Sequence, residues 1–208
     1  MNKIIVIGNG GHAKSCIEVI EEQNQYTISG IISENTSLKN NFLFLNYKII
    51  GTDNDLNRLA ERYQYAFIGI GQINSPDVRS QFFKKLTDLG FILPKIISSS
   101  AMVSKRSKVD QGTIIMKQAL INTDVYIGKN CIINNKALIE HDANIGDNCH
   151  IATGAVINGS VTIENNCFIG SNATIMQGIK IGRGSIVSAG SFVNKDLSKD
   201  TIFRYNEK

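Results

Sequence analysis

Val or Ile stands at every sixth position from Val103 to Val193, sixteen times without a break. The run is Val103, Val109, Ile115, Ile121, Ile127, Ile133, Ile139, Ile145, Ile151, Ile157, Ile163, Ile169, Ile175, Ile181, Val187 and Val193. A fixed short period marks a solenoid, in which each repeat is one unit stacked on the last. Two positions before each register residue the side chain is smaller: Ala101, Ala119, Ala137, Ala155 and Ala173 form one column, and Cys131, Cys149 and Cys167 another. A large inward residue every six, with a small one between, describes a narrow triangular prism of three hexads to the coil. Residues 18 apart then stack as rungs, roughly 4.8 Å from one another. Gly128, Gly146, Gly170 and Gly182 each follow a register residue, where the turn is expected to need positive φ.

This pattern resembles that of the hexapeptide-repeat acyltransferases. The resemblance implies a left-handed parallel β-helix of about five coils, usually trimeric. The handedness comes from the family, because crossovers are ordinarily right-handed.

Before the repeats, strand and helix patterns alternate. Lys3–Ile7, Tyr26–Ile32, Tyr47–Gly51 and Ala66–Ile70 read as strands, and Ala13–Glu22 as a helix. Asp53 or Asp55 can cap a helix running to about Tyr63, and Ser75-Pro76-Asp77 opens another that ends near Gly90. A last strand, Ile92–Ile97, leads into the prism. The expected fold is an α/β N-terminal domain with a small Rossmann-like parallel sheet (residues 1–96), then an all-β left-handed parallel β-helix (97–208).

The first strand runs into Gly8-Asn9-Gly10-Gly11-His12-Ala13, a G-x-G-x-x-A turn opening a helix. Backbone N–H groups of such a turn can meet phosphate oxygens. An NAD domain is one reading, with Glu34 near the end of the second strand for a ribose. About ninety residues make only half a dinucleotide domain, so a nucleotide-sugar diphosphate fits better. Glycines serving only a tight turn are the competing explanation.

Composition narrows the partners. A net charge of +4 with no Lys/Arg run gives no nucleic-acid or membrane surface. The N-terminal apolar run is too short for a signal peptide and no span reaches transmembrane length, so the cytoplasm is the expected compartment. Three of the four cysteines sit at the small position of the repeat, as buried thiols rather than metal ligands or a disulfide. No metal is expected.

His141, in Ile139-Glu140-His141-Asp142, lies outside the inward register and faces solvent or a neighbouring subunit. Histidine suits a base for acyl transfer from a thioester, and an adjacent carboxylate fixes its tautomer and raises its basicity. An ordinary surface histidine is an equal reading of periodicity alone. Gly159 follows 18 residues later, one rung on, where a bare backbone can bring an N–H to an oxyanion. His150 is half a coil from His141, so the two converge only across a subunit interface, which favours a trimer with interfacial sites.

Together, G-N-G-G-H, the small α/β domain and I-E-H-D-x-x-I-G-D-x-x-H-I resemble the family of sialic acid O-acetyltransferases and nucleotide-linked amino-sugar N-acetyltransferases. That resemblance implies His141 as general base and Asp142 as its supporting acid. It sets His150, Ser171 and Ala189 along an acetyl-CoA groove. Gly10, Gly11, His12 and Gly71 go to the sugar nucleotide, with Ser33 and Glu34 at its uracil- or ribose-facing side. Two departures stand out. The bacillosamine-pathway member carries paired aspartates where this chain has Ser33-Glu34, and the G-x-P-A tail of many relatives is replaced by Thr201–Lys208.

The expected activity is acetyl transfer from acetyl-CoA, as co-substrate, to the 4-amino group of a UDP- or dTDP-linked 4-amino-4,6-dideoxy sugar for a bacterial surface glycan, in a homotrimer. The alternatives are O-acetylation of sialic acid or a related sugar acid, and a non-catalytic trimer that binds sugar nucleotides. An NAD oxidoreductase is the weakest reading.

Overall fold

The computed structural model describes residues 1–34 and 43–204; the last four residues of the C-terminal tail lie outside them. The chain begins β1 (Asn2–Ile7), α1 (Gly11–Gln23), β2 (Tyr26–Ile32), β3 (Leu43–Phe44), β4 (Tyr47–Gly51), α2 (Leu56–Ala60), β5 (Tyr65–Ile68), α3 (Asp77–Asp88). The sheet order is β3-β4-β2-β1-β5, parallel except for the β3–β4 pair. Successive β1 residues face opposite sides, as strand geometry requires. Ile4 and Val6 pack with α1, whereas Ile5 and Ile7 pack with Leu56, Leu59 and Leu86 of α2 and α3. Both faces of β1 are therefore covered, which is why the strand reads as an unbroken apolar run.

Local chemistry moves some boundaries. Helix α3 begins one residue later than the Ser75-Pro76 signal implies, with Ser75 Oγ accepting the Asp77 N–H at 3.0 Å. Asp55 is the N-cap position of α2, which ends at Ala60, but its side chain makes no capping bond there; it is engaged instead with Thr52, the cap of the short 3-10 turn Asp53–Asp55, in a reciprocal box. Ile92–Ile97 is not one strand. Pro94 has no N–H to donate, leaving a single bridge from Ile92 to Tyr65 and the two-residue β6 (Ile96–Ile97).

From Met102 onward a two-residue strand recurs every six residues, β7 (Met102–Val103) to β22 (Phe192–Val193), and each ends on a register residue. Partners are 18 apart and parallel, as in Leu120↔Leu138 and Ile121↔Ile139. The result is a left-handed parallel β-helix closed by β23 (Ile202–Phe203). The register residues after Val103 are buried, with the small column between them. Its three faces differ most in their outward residues. The first presents Ile96, Ile114 and Ile132, packed under α1, then His150 and Phe168. The second carries Met102, Leu120, Leu138, Val156, Thr174 and Phe192; the third carries Lys108, Tyr126, Asn144, Thr162 and Lys180. Among the described residues no helix is long and apolar enough to cross a membrane.

The turn glycines correct the sequence reading. Gly128, Gly146, Gly170 and Gly182 are not among the positive-φ residues. That conformation falls three residues after the register, mostly at Asn and Asp (Asp124, Asn130, Asp142, Asn148) and at a different set of glycines (Gly112, Gly154, Gly178, Gly184, Gly190), the residue types that tolerate it best. The four glycines next to the register instead let coils approach. A Cβ on Gly146 would stand 2.7 Å from the Asn165 backbone nitrogen and closer still to Asn165 Oδ1. The cysteine column also does more than fill space. The buried Cys131 and Cys149 thiols donate to the carbonyls of Gly146 and Glu164, as Thr113 does to Gly128 in the same column.

Gly146→Ala forces a methyl into a backbone contact and should cost about 1–3 kcal/mol of stability. Denaturant unfolding checks this; an unchanged midpoint would mean that the coils part without cost.

Candidate active site

In this sheet β2 and β5 flank β1 on opposite sides, so the winding reverses at β1. Ligands of open α/β sheets bind outside the carboxyl ends of the strands at such a point. A cavity of about 770 Å³ lies there. It is lined by the Gly8–His12 turn after β1, Ser33 and Glu34 after β2, Gly69–Gly71 after β5, and Asp53. Val78, Gln81, Phe82 and Lys85 of α3 form the far wall. The cavity thus gathers the six residues assigned from sequence to the sugar nucleotide: Gly10, Gly11, His12, Ser33, Glu34 and Gly71.

The turn suits an anion. Gly8 adopts φ +103, open to glycine at low cost. Gly10 is the N-cap of helix α1, with no side-chain cap and no acidic residue in the first turn, so the first N–H groups remain for a ligand. A Cβ on Gly10 or Gly11 would meet nothing within 4 Å, so packing does not demand glycine there. His12 turns back toward Cys16, with Nε2 3.3 Å from Sγ. Burial first, then the Arg79 charge, pushes its pKa down to about 3, so it enters the site as a neutral ring.

The opposite end of the cavity is acidic. Asp53 is pushed up to about 6, first by burial and then by its hydrogen bond with Glu34. Lys85 Nζ donates to the Asp53 carbonyl at 2.9 Å and opposes that rise. Sequence reading treated Asp53 only as a helix cap and passed over Phe82 and Lys85. The Thr52 cap is what frees the Asp53 side chain. Helical periodicity had no signal for which α3 residues would meet the cavity.

His141 follows the second-face strand Leu138–Ile139, at the corner between the second and third faces. Its Nδ1 meets Asp142 Oδ2 at 2.8 Å. Asp142 is in the left-handed conformation, φ 61, at this corner. A carboxylate can only accept, so Nδ1 carries the proton and the neutral ring keeps a lone pair on Nε2. The Asp142 hydrogen bond is the largest cause raising His141 above the ordinary histidine value. Gly159 is one rung on, and a Cβ there would lie 2.7 Å from His141 Cε1 and 2.8 Å from Nε2. The imidazole occupies the space a side chain at Gly159 would need. Asn122 Nδ2 holds the adjacent Glu140 carboxylate at 2.6 Å.

His150 lies on another face and points elsewhere. It is 7% exposed, with Nδ1 donating to the Gln72 carbonyl and Nε2 3.3 Å from Asn134 Nδ2. Burial holds its pKa down, so the ring is neutral and both nitrogens are engaged. Ser171 and Ala189 share the corner between the first and second faces, 18 residues apart, and are partly or fully exposed. His141 and these two residues therefore border opposite edges of the same apolar second face. Among the described residues no group of three or more His, Cys, Asp or Glu could hold a metal ion.

Comparison with known proteins agrees with this architecture. Residues 3–86 match the PglD N-terminal domain family, and residues 121–158 and 160–195 match the hexapeptide repeat of succinyl-transferase. Curated proteins gave no match. Among solved structures, a histidine-to-asparagine variant of perosamine N-acetyltransferase from Caulobacter crescentus, in complex with CoA and GDP-perosamine, is 30% identical. The match covers 96% of this chain and 91% of that one, with a TM-score of 0.88. The acetyltransferase domain of PglB from Neisseria gonorrhoeae, in complex with acetyl coenzyme A, is 27% identical over 99% of this chain and 98% of its own, with a TM-score of 0.89. With a glycine-rich turn after β1, a repeat prism and a likeness that spans nearly the whole chain, the protein belongs to the hexapeptide-repeat sugar acetyltransferases.

Proposed function

We propose that this protein transfers acetyl from acetyl-CoA to the 4-amino group of a nucleoside-diphosphate-linked 4-amino-4,6-dideoxy sugar. The observation that carries the reading is the His141–Asp142 pair laid over Gly159 at the border of an unpartnered apolar face. The relatives bound to CoA with GDP-perosamine, or to acetyl coenzyme A, support it. UDP and dTDP remain nucleotide candidates, joined by GDP because of the perosamine enzyme.

His141 Nε2 takes a proton from the amine as its nitrogen attacks the thioester carbonyl. The Gly159 N–H meets the oxyanion. When the tetrahedral intermediate collapses the C–S bond breaks, and the imidazolium returns its proton to the departing sulfur. The diphosphate sits on the Gly8–Gly11 turn. The nucleoside then extends toward Ser33, Glu34 and Asp53, while the sugar extends toward Gly71. Ser171 and Ala189 belong to the coenzyme groove. His150 stands beside that groove and holds the Gln72 segment.

The second face supports a homotrimer. In a three-fold ring the contact is heterologous, so one edge of a protomer's face meets the opposite edge of its neighbour's. That brings the Ser171–Ala189 corner of one protomer to the His141 corner of the next, with Leu120, Leu138 and Val156 buried between them.

A thiol-release assay tests the reaction with UDP-, dTDP- and GDP-linked 4-amino sugars against free sialic acid. Turnover with one of the amino sugars is expected; turnover with sialic acid alone would move the function to O-acetylation. His141→Ala should lose about 10²–10⁴-fold in rate, and activity within about threefold of wild type would remove His141 as the base. Asp142→Asn carries a signed prediction. The Asp142 bond raises His141, and the base must be deprotonated, so losing the bond moves the acid limb of the rate profile to lower pH while lowering the plateau. An unshifted limb would separate Asp142 from the base. Leu138→Arg should yield monomers by light scattering and abolish turnover together; active monomers would contradict an interfacial site.

A further inference from the structure

Arg79 on α3 is 1% exposed, and none of the ion pairs among the described residues includes it. Its guanidinium donates only to backbone carbonyls. Nη1 reaches Ile68 at 2.6 Å and Ile70 at 2.9 Å. Nε reaches Asn130 and Nη2 reaches Gly112, each at 3.2 Å. Burial pushes the group down to about 10, still charged at neutral pH. A charge taken out of water with no carboxylate partner does not favour folding, and an apolar side chain would pack α3 as well. What the planar fork alone can do is fix several acceptors at once.

Those acceptors fall into two groups. Ile68 and Ile70 bracket Gly69 at the end of β5, in the segment that lines the cavity through Gly69–Gly71. Gly112 and Asn130 are successive rungs of one corner of the prism. The next rung, Asn148, offers its carbonyl to Gln72 Nε2 at 2.7 Å, and the Gln72 carbonyl accepts from His150. Three rungs of one corner are thus stitched to a single five-residue segment, two of them by Arg79. The same charge, after burial, helps to hold His12 and His150 neutral on either side of that segment.

We propose that Arg79 is a positioning residue that fixes the Ile68–Gln72 segment to the prism and so sets where the sugar end of a bound nucleotide sugar stands for acetyl transfer. The inference rests on the acetyl-transfer reading above. It predicts a selective defect, because the diphosphate turn at Gly8–Gly11 and the coenzyme corner at Ser171 are not touched by the guanidinium.

The test uses the full chain with Arg79→Met and Arg79→Lys, the second retaining charge without the fork. In Arg79→Met, kcat/KM for the nucleotide amino sugar should fall about 30- to 100-fold. The KM for acetyl-CoA and the Kd for the free nucleoside diphosphate should stay within about threefold. Amides of residues 69–73 should exchange with deuterium about tenfold faster, while those of the prism core do not change. Arg79→Lys should fall between the two, and it carries the test if Arg79→Met does not fold. Kinetics within about threefold of wild type with unchanged exchange at 69–73 would overturn the proposal. So would an equal loss for both substrates alongside a lowered melting temperature, the mark of a purely structural role. If wild type acetylates no amino sugar, the functional reading fails separately, and the exchange comparison still decides whether Arg79 holds the segment.

Discussion

Backbone hydrogen bonds between successive coils fix every address in the prism. Glu140 N donates to Ile157 O at 2.8 Å and Ser160 N to His141 O at 2.9 Å. Once Ile139 is committed inward, no freedom remains for its neighbours. His141 must reach the corner, Asp142 must take the left-handed turn, and the residue one rung on must yield space to the imidazole. Stacking leaves the outward residue of each two-residue strand as the freest position at which the faces can differ. That one position makes the first face a seat for α1, the second an apolar surface and the third a solvated one. Burial of an Ile side chain contributes roughly 1.5–3 kcal/mol, so an interruption in the register would cost a sizeable share of a domain's net stability. The unbroken run of Val and Ile follows from that cost.

This fixed offset explains what the sequence disclosed. Contacts at a constant separation of 18 can be read by counting, and His141 above Gly159 was found that way. The α/β domain has no such offset. Its strands were legible from apolar runs, with β2 and β4 at the expected bounds, yet side-chain destinations depend on how α3 crosses the sheet. Asp53, Phe82 and Lys85 reached the cavity unannounced for that reason, and Arg79 looked like any arginine on an amphipathic helix. The turn glycines were assigned to positive φ because glycine is commonly used there. The structure gives that conformation to the residue three after the register, where Asn, Asp and other glycines such as Gly112, Gly154 and Gly190 stand, and keeps the four glycines next to the register where two coils touch. Periodicity set His150 half a coil from His141, but nothing in the repeat shows that Gln72 would cover it.

The likeness to known acetyltransferases spans both parts of the chain, and that breadth bears on the site. A repeat prism alone is shared by proteins of several activities, and fold alone does not give function. Here the glycine turn after β1 and the His141 corner occur in one chain at a fixed relation, joined through the Ile68–Gln72 segment and the corner at Gly112, Asn130 and Asn148.

The cavity and the His141 corner nevertheless remain apart within one protomer. The cavity is lined by residues of the first ninety alone, and the His141 corner is built only from prism residues. Between the His141 corner and the Ser171 corner lies a face whose outward residues run Met102, Leu120, Leu138 and Val156, with Met102 69% exposed. Keeping such a stripe in water gains nothing. In the proposed ring, covering the stripe and bringing the two corners together are one event, because both edges belong to the same face. Apolar burial then supplies the driving force for assembly, while the polar groups on the edges, relieved of that task, are left free to meet thioester and amine.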